Sequence, residues 1–283
     1  MSYDIVLHYL AALLYLGLGI SIWSALFHNK NLDKRPTIVT ILLFFIIIIQ
    51  GVAIHLGMLS AHQIRINWTL GLSFTLWLGL IIYWIDSFFM KIGGFQLLFL
   101  PIGVVICLLA ALFPTTEHST TITVHTSLFM VHLVTSLFAY SVIALGALQA
   151  LIMTSLDNYL HRPQHFGNNT NLLSRVLDAQ PPLLVQERML FRLIWVGFTL
   201  LSISIITGMF VSMNLIGELL PNDHKTFFTL ISWVIFGILL FGRMMWGWRG
   251  RIALRWTLFG FALLMLAYTG TRLIFEEILR RGA

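Results

Sequence analysis

Long apolar runs alternate along this chain with short polar breaks. A helix that crosses a bilayer needs about 20 largely apolar residues, each adding about 1.5 Å against a hydrocarbon core of about 30 Å. Eight segments meet that requirement: 3–27, 37–59, 68–90, 94–113, 124–156, 189–216, 224–246 and 252–279. Backbone polar groups cannot go unpaired in lipid, so each segment is predicted to be a helix. The expected fold class is all-α: a polytopic membrane helix bundle of eight transmembrane helices, in a single integral membrane domain over residues 1–283. The first long apolar run, Ile5 to Phe27, is too long for a signal-peptide core and lacks a basic start or a small-residue cleavage site, so it is expected to stay as a span.

Composition agrees with this pattern. Hydrophobic residues make up 58% of the chain and charged residues only 10%, against roughly 25% charged in a soluble domain. The net charge of +6 does not point to nucleic acid, because the basic residues are scattered through short loops rather than gathered in a phosphate-binding stripe. The single Cys107 lies inside an apolar run, which excludes a disulfide framework, a CxxC redox pair or a thiolate metal cluster within one chain.

The basic residues also set the orientation. Twelve of the 17 Lys and Arg residues fall in or beside the connections after the first, third, fifth and seventh spans, Lys30, Lys91, Arg175 and Arg249 among them. Those connections are therefore expected in the cytoplasm and both termini on the outer, periplasmic side. The longest connection, 157–188, is then cytoplasmic, with Pro181-Pro182 leading into the sixth span. In "GWRGR" (247–251) two glycines permit a tight reversal between the last two spans, while Trp248 seats at headgroup depth. Trp23, Trp68, Trp84, Trp195 and Trp246 also sit near span ends, as interfacial anchors do.

Ten histidines remain to be placed. His28, His161 and His165 fall in cytoplasmic connections, where a solvated role is expected. On the outer side stand His8, His55, His62, His118, His125, His132 and His224. His55 comes about 27 Å along the second span, close to the outer boundary. The fifth span is too long for the bilayer, so its outer end should project and leave His132 near the interface. His224 opens the seventh span from the same side. Ionisable groups within a membrane are costly and usually face a bundle interior or a wet cavity, and neutral imidazole is a common ligand for iron, copper and zinc. With no thiolate pair and few carboxylates, an all-histidine site in apolar surroundings suits a haem, which takes one or two axial imidazoles. The plainer alternative for each histidine is an interfacial hydrogen bond. Arg272, about 30 Å along the last span, could meet an anionic group such as a haem propionate; alternatively it pairs with Glu276 one turn on or snorkels to lipid phosphate. Gln50, in the middle of the second span, reads as interhelical glue.

Four stretches carry a family resemblance: "MVHLVTSLFAYSVIALGALQAL" (130–151), "PPLLVQERMLFRL" (181–193), "ISWVIFGILLFGR" (231–243) and "GWRGRIALRWTLFGFALLMLAYTGTRLI" (247–274). They resemble the cytochrome c assembly protein family, with its CcsA, CcmC and HemX types, and most of all its eight-span HemX- or YpjD-like inner-membrane branch. The resemblance covers the second half well and the first half mainly in span pattern. It implies a multi-pass protein of the bacterial inner membrane that handles haem b, resident or in transit, beside the periplasmic face. His132 lines up with one of the family's outer histidines, and His55 follows on the "AIHLGML" likeness. Two departures stand out. No tryptophan precedes Trp233 where the family has a tryptophan-rich segment, and "FEEILRRGA" lacks its late outer histidine, a place His224 could take.

The leading expectation is thus a non-enzymatic haem-binding membrane protein of the cytochrome c assembly type. It has His132 and His55 as iron ligands, His224 and Arg272 as further haem contacts, and haem and the lipid bilayer as partners. A cofactor-free scaffold that engages a membrane or cytoplasmic protein through 157–188 is the alternative, and a small-solute transporter the third.

Overall fold

A computed structural model describes residues 3–28, 37–60, 63–89, 93–114, 120–123, 127–161, 176, 178–221 and 223–272. Eight long helices form among them: α1 (Tyr3–Phe27), α2 (Thr37–Met58), α3 (Trp68–Phe89), α4 (Gln96–Leu112), α5 (Ser127–Leu160), α6 (Leu183–Ile216), α7 (His224–Trp246) and α8 (Arg251–Arg272). The all-helical membrane fold is as expected. Six of the helices (α1, α2, α3, α5, α6 and α7) are long and apolar enough to cross a bilayer, while α4, with 17 residues, is shorter.

Two ends differ from the expected spans. α5 continues to Leu160 and α6 begins at Leu183, because the polar residues added at both ends find partners. Asp157 accepts Arg251 Nε–H at 2.7 Å. Gln186 is fully buried and bonded to Gln149 Nε2 at 3.1 Å. Hydropathy registers such residues as breaks, whereas paired polar groups let a helix continue through them. The expected 273–279 end of the last span lies outside the described residues.

A small sheet was not foreseen. β1 (Leu59–Ser60), β2 (Gln63–Ile66) and β3 (Thr120–Thr123) form an antiparallel sheet in the order β1-β2-β3. Ile64 of β2 faces Ile122 of β3, so the α2–α3 and α4–α5 connections meet at one end, as two connections on one side of a membrane can.

The contacts sort the chain into two compact units, one of Met1–Val124 with Arg162–Pro182 and one of His125–His161 with Leu183–Ala283. In the first, α1 packs on α4 where Gly103 admits the Tyr15 ring; a Cβ at 103 would lie 3.1 Å from Tyr15 Cγ. Gly51 of α2 likewise admits the Trp77 indole, whose Nε1–H donates to Ile47 O at 2.8 Å. Trp84, one of the expected anchors, donates to Thr40 O at 3.2 Å and stacks on Phe44. In the second unit α5 and α6 run closely together, with Gly197 set against Ile143 and Gly146 against Leu193, and Ala139, Ala147 and Ala150 of α5 are buried. Small residues let helix backbones approach in lipid, where no hydrophobic effect drives helices together.

The first unit is cross-braced by a buried polar chain. Tyr15 O–H donates to Gln50 Oε1, and Gln50 Nε2 donates to both Ser73 O and Ser73 Oγ at 3.1 Å. Ser73 Oγ meets His8 Nε2 at 3.3 Å, and His8 Nδ1–H donates to Asp4 O at 2.9 Å. All four side chains are buried. Gln50 thus serves as the interhelical glue its position suggested, tying α1 to α3. Gln50→Leu should destabilise the protein by about 1–2 kcal/mol, since Tyr15 and Ser73 then lose their partner inside the membrane. Thermal unfolding in detergent measures this, and combining Gln50→Leu with Tyr15→Phe should cost less than the two separate losses added; strict additivity would mean the chain is not coupled.

Candidate functional site: an oriented imidazole on α5

His132 lies in the second turn of α5 and is half-buried. Its Nδ1 stands 3.0 Å from Ser204 O and 3.3 Å from Thr207 Oγ1, both on α6. A carbonyl oxygen only accepts, so the proton is assigned to Nδ1. Thr207 donates its own hydroxyl proton to Ile203 O at 2.9 Å or Ser204 O at 3.1 Å, which leaves an oxygen lone pair for the imidazole N–H. In the neutral ring the lone pair is then on Nε2, which has no hydrogen-bond partner among the described residues. A ring held through one nitrogen by a carbonyl and open at the other is the usual arrangement of a histidine that ligates a metal.

The ring sits over Gly208. A Cβ at that position would lie 2.9 Å from His132 Cε1 and 3.3 Å from Nδ1. Further along α6, where it meets α7, Phe198 and Trp233 stack with ring centres 5.5 Å apart, and Trp233 Nε1–H donates to Ser202 Oγ at 2.8 Å. Lys225, in the first turn of α7, is exposed.

The other expected site residues fall as follows. His55 is exposed in the last turn of α2 and belongs to the first unit, whereas His132 belongs to the second. His224 is exposed as the first residue of α7, which is capped by Asp223 accepting Thr226 N–H at 2.8 Å. Arg272 ends α8, and its side chain lies outside the described residues, as do His62, His118, His125 and His165. His8 has both nitrogens engaged, so it offers no lone pair.

A haem fits the donor set found here. Among the described residues no three His, Cys, Asp or Glu side chains gather into a metal site. A porphyrin brings four nitrogens of its own and asks one imidazole of the protein, with apolar and aromatic walls around it.

Away from His132, the second unit is closed by an ion pair. Arg243 Nη1 donates to Glu187 Oε1, its guanidinium lies 4.2 Å over the Phe191 ring, and the same nitrogen reaches Trp248 O at 3.3 Å. This joins three of the stretches singled out in the sequence. Gly247 (φ +63°) and Gly250 (φ +55°) make the left-handed turn of "GWRGR", and Trp248 lies flat on Gly242. At the end of the long connection, Gln180 Nε2 donates to Gly94 O at 3.1 Å, so that stretch is docked within the first unit.

Sequence reasoning missed Ser204, Thr207, Gly208 and Lys225. Ser204 and Gly208 are small residues four apart in an apolar helix, a spacing that marks close helix packing and was the available signal.

Comparison with known proteins agrees with the architecture. The model of the Cytochrome C assembly protein family matches residues 6–279, and the chain belongs to that family. It is 31% identical over 149 residues to inner membrane protein YpjD of Escherichia coli K12, covering 53% of this chain and 52% of that protein. It is 24% identical over 200 residues to cytochrome c biogenesis protein CcsA of Mesostigma viride, covering 65% and 61%. To CcsA of Microcystis aeruginosa it is 30% identical over 135 residues, covering 45% and 41%. The chain spans about half the length of the curated relatives it matches. No solved structure matches it. With its apolar spans and these relatives, the chain is a multi-pass inner-membrane protein.

Removing one partner of the Glu187–Arg243 pair should weaken the second unit. Arg243→Met is expected to cost about 1.5–3 kcal/mol, the worth of a hydrogen bond to a charged group, read as a lowered unfolding midpoint in detergent. Glu187→Gln, which keeps an acceptor oxygen, should cost less; an equal loss would mean the charge rather than the hydrogen bond matters.

Proposed function

We propose that this chain is a non-enzymatic haem-handling protein of cytochrome c biogenesis that holds haem b by His132 near the periplasmic face of the membrane. The observation that carries the reading is the His132 imidazole, pinned through Nδ1 to Ser204 O and open at Nε2. Family membership supports it, as do the CcsA relatives, whose own names place them in cytochrome c biogenesis. Bound haem would supply an iron with open axial positions; the chain's own part is to bind, orient and shield it. His132 would offer the lone pair, and Lys225, exposed at the start of α7, would bring positive charge for the carboxylates of the haem. Arg272 and His224 are proposed as further contacts to those carboxylates. For His55 the support is an exposed imidazole and the sequence likeness, and its own variant decides its part.

Purified protein titrated with haem in mild detergent should develop a Soret band that His132→Ala abolishes or shifts to a weaker, differently coordinated form. A low-spin bis-imidazole spectrum that turns five-coordinate in His55→Ala would assign the second axial ligand. No Soret band in the parent protein, or one that His132→Ala leaves unchanged, would sink the proposal.

A further inference from the structure

On an α-helix the carbonyl of residue i points toward the amide of residue i+4, and the side chain at i+4 stands beside it. A glycine at i+4 uncovers that carbonyl for a donor from outside, which then shares the oxygen with the helix's own N–H. On α6 the uncovered carbonyl is Ser204 and the glycine is Gly208; the donor is His132 Nδ1. A Cβ at 208 would lie 2.9 Å from Cε1, closer than real Cβ atoms come, and only 3.3 Å from Nδ1. Any side chain there would therefore turn the imidazole off Ser204. Thr207 adds its lone pair from one residue earlier.

We infer that Gly208, with Ser204 O and Thr207, is a positioning device that fixes the tautomer of His132: proton on Nδ1, lone pair on Nε2. Free neutral histidine favours the opposite tautomer, with the proton on Nε2 and no lone pair there to ligate. The device makes Nε2 the only coordinating atom and holds the ring at a set angle before any metal arrives. It acts through His132 and touches no ligand itself. The inference rests on the proposed haem site for its purpose, but its geometry stands without haem.

The test has two arms. In the first, protein carrying ¹⁵N-labelled histidine is reconstituted in liposomes without haem and studied by magic-angle-spinning NMR, with His132→Gln used to assign the signal. The parent should show the Nδ1–H, Nε2-unprotonated pattern for His132. Gly208→Ala should lose it in favour of the Nε2–H form, and Thr207→Val should weaken it partway without endangering the fold. In the second arm, haem titration should show Gly208→Ala binding about 10–100-fold more weakly, the usual effect of losing a group that orients a ligating histidine. An Nε2–H pattern in the parent, or a pattern and affinity unchanged in both variants, would overturn the inference. Absence of haem binding in the parent sinks the proposed function instead, and the NMR arm then still decides this one.

Discussion

Inside a bilayer a ring N–H has no water to bond, and helix carbonyls are already engaged and covered by the side chains that follow them. The way out taken here is a glycine four residues after the carbonyl. In the first unit Gly51 uncovers Ile47 O for the Trp77 indole, and in the second Gly208 uncovers Ser204 O for His132. The two sites use one geometry for different ends. Trp77 has a single polar atom, so its bond only fixes α3 on α2. His132 has two, and satisfying one leaves the other available.

Several other buried polar groups follow the same constraint. Gln50 satisfies both ends of its amide between Tyr15 and Ser73, Gln149 donates to Gln186, and Arg243 donates to Glu187. Each bond joins different helices, so each fixes rotation and depth as well as satisfying its atoms. Apolar packing in lipid specifies these weakly. His8 and His132 show the consequence: His8 is closed because its own helix takes Nδ1 and α3 takes Nε2, whereas His132 is engaged through Nδ1 alone.

Membership of the Cytochrome C assembly protein family gives this arrangement its context. Ahead of Trp233 the chain reads "LLPNDHKTFFTLISW", where Asp223 caps α7.

Much of the fold was legible in the chain, because a span's length and apolarity are local properties set by bilayer thickness. The eight helices, the glycine turn at 247–250 and the bracing role of Gln50 could all be read that way. The early start of α6 could not, since Gln186 and Glu187 look like a break until their partners on α5 and α7 are known. Neither could the β1–β2–β3 sheet, which depends on two connections far apart in sequence meeting. The sequence by itself determined that His132 is an imidazole near a membrane boundary. Only the tertiary structure decided which of its nitrogens is open, because that depends on which carbonyl of α6 comes opposite it, and a glycine's value lies in what approaches it.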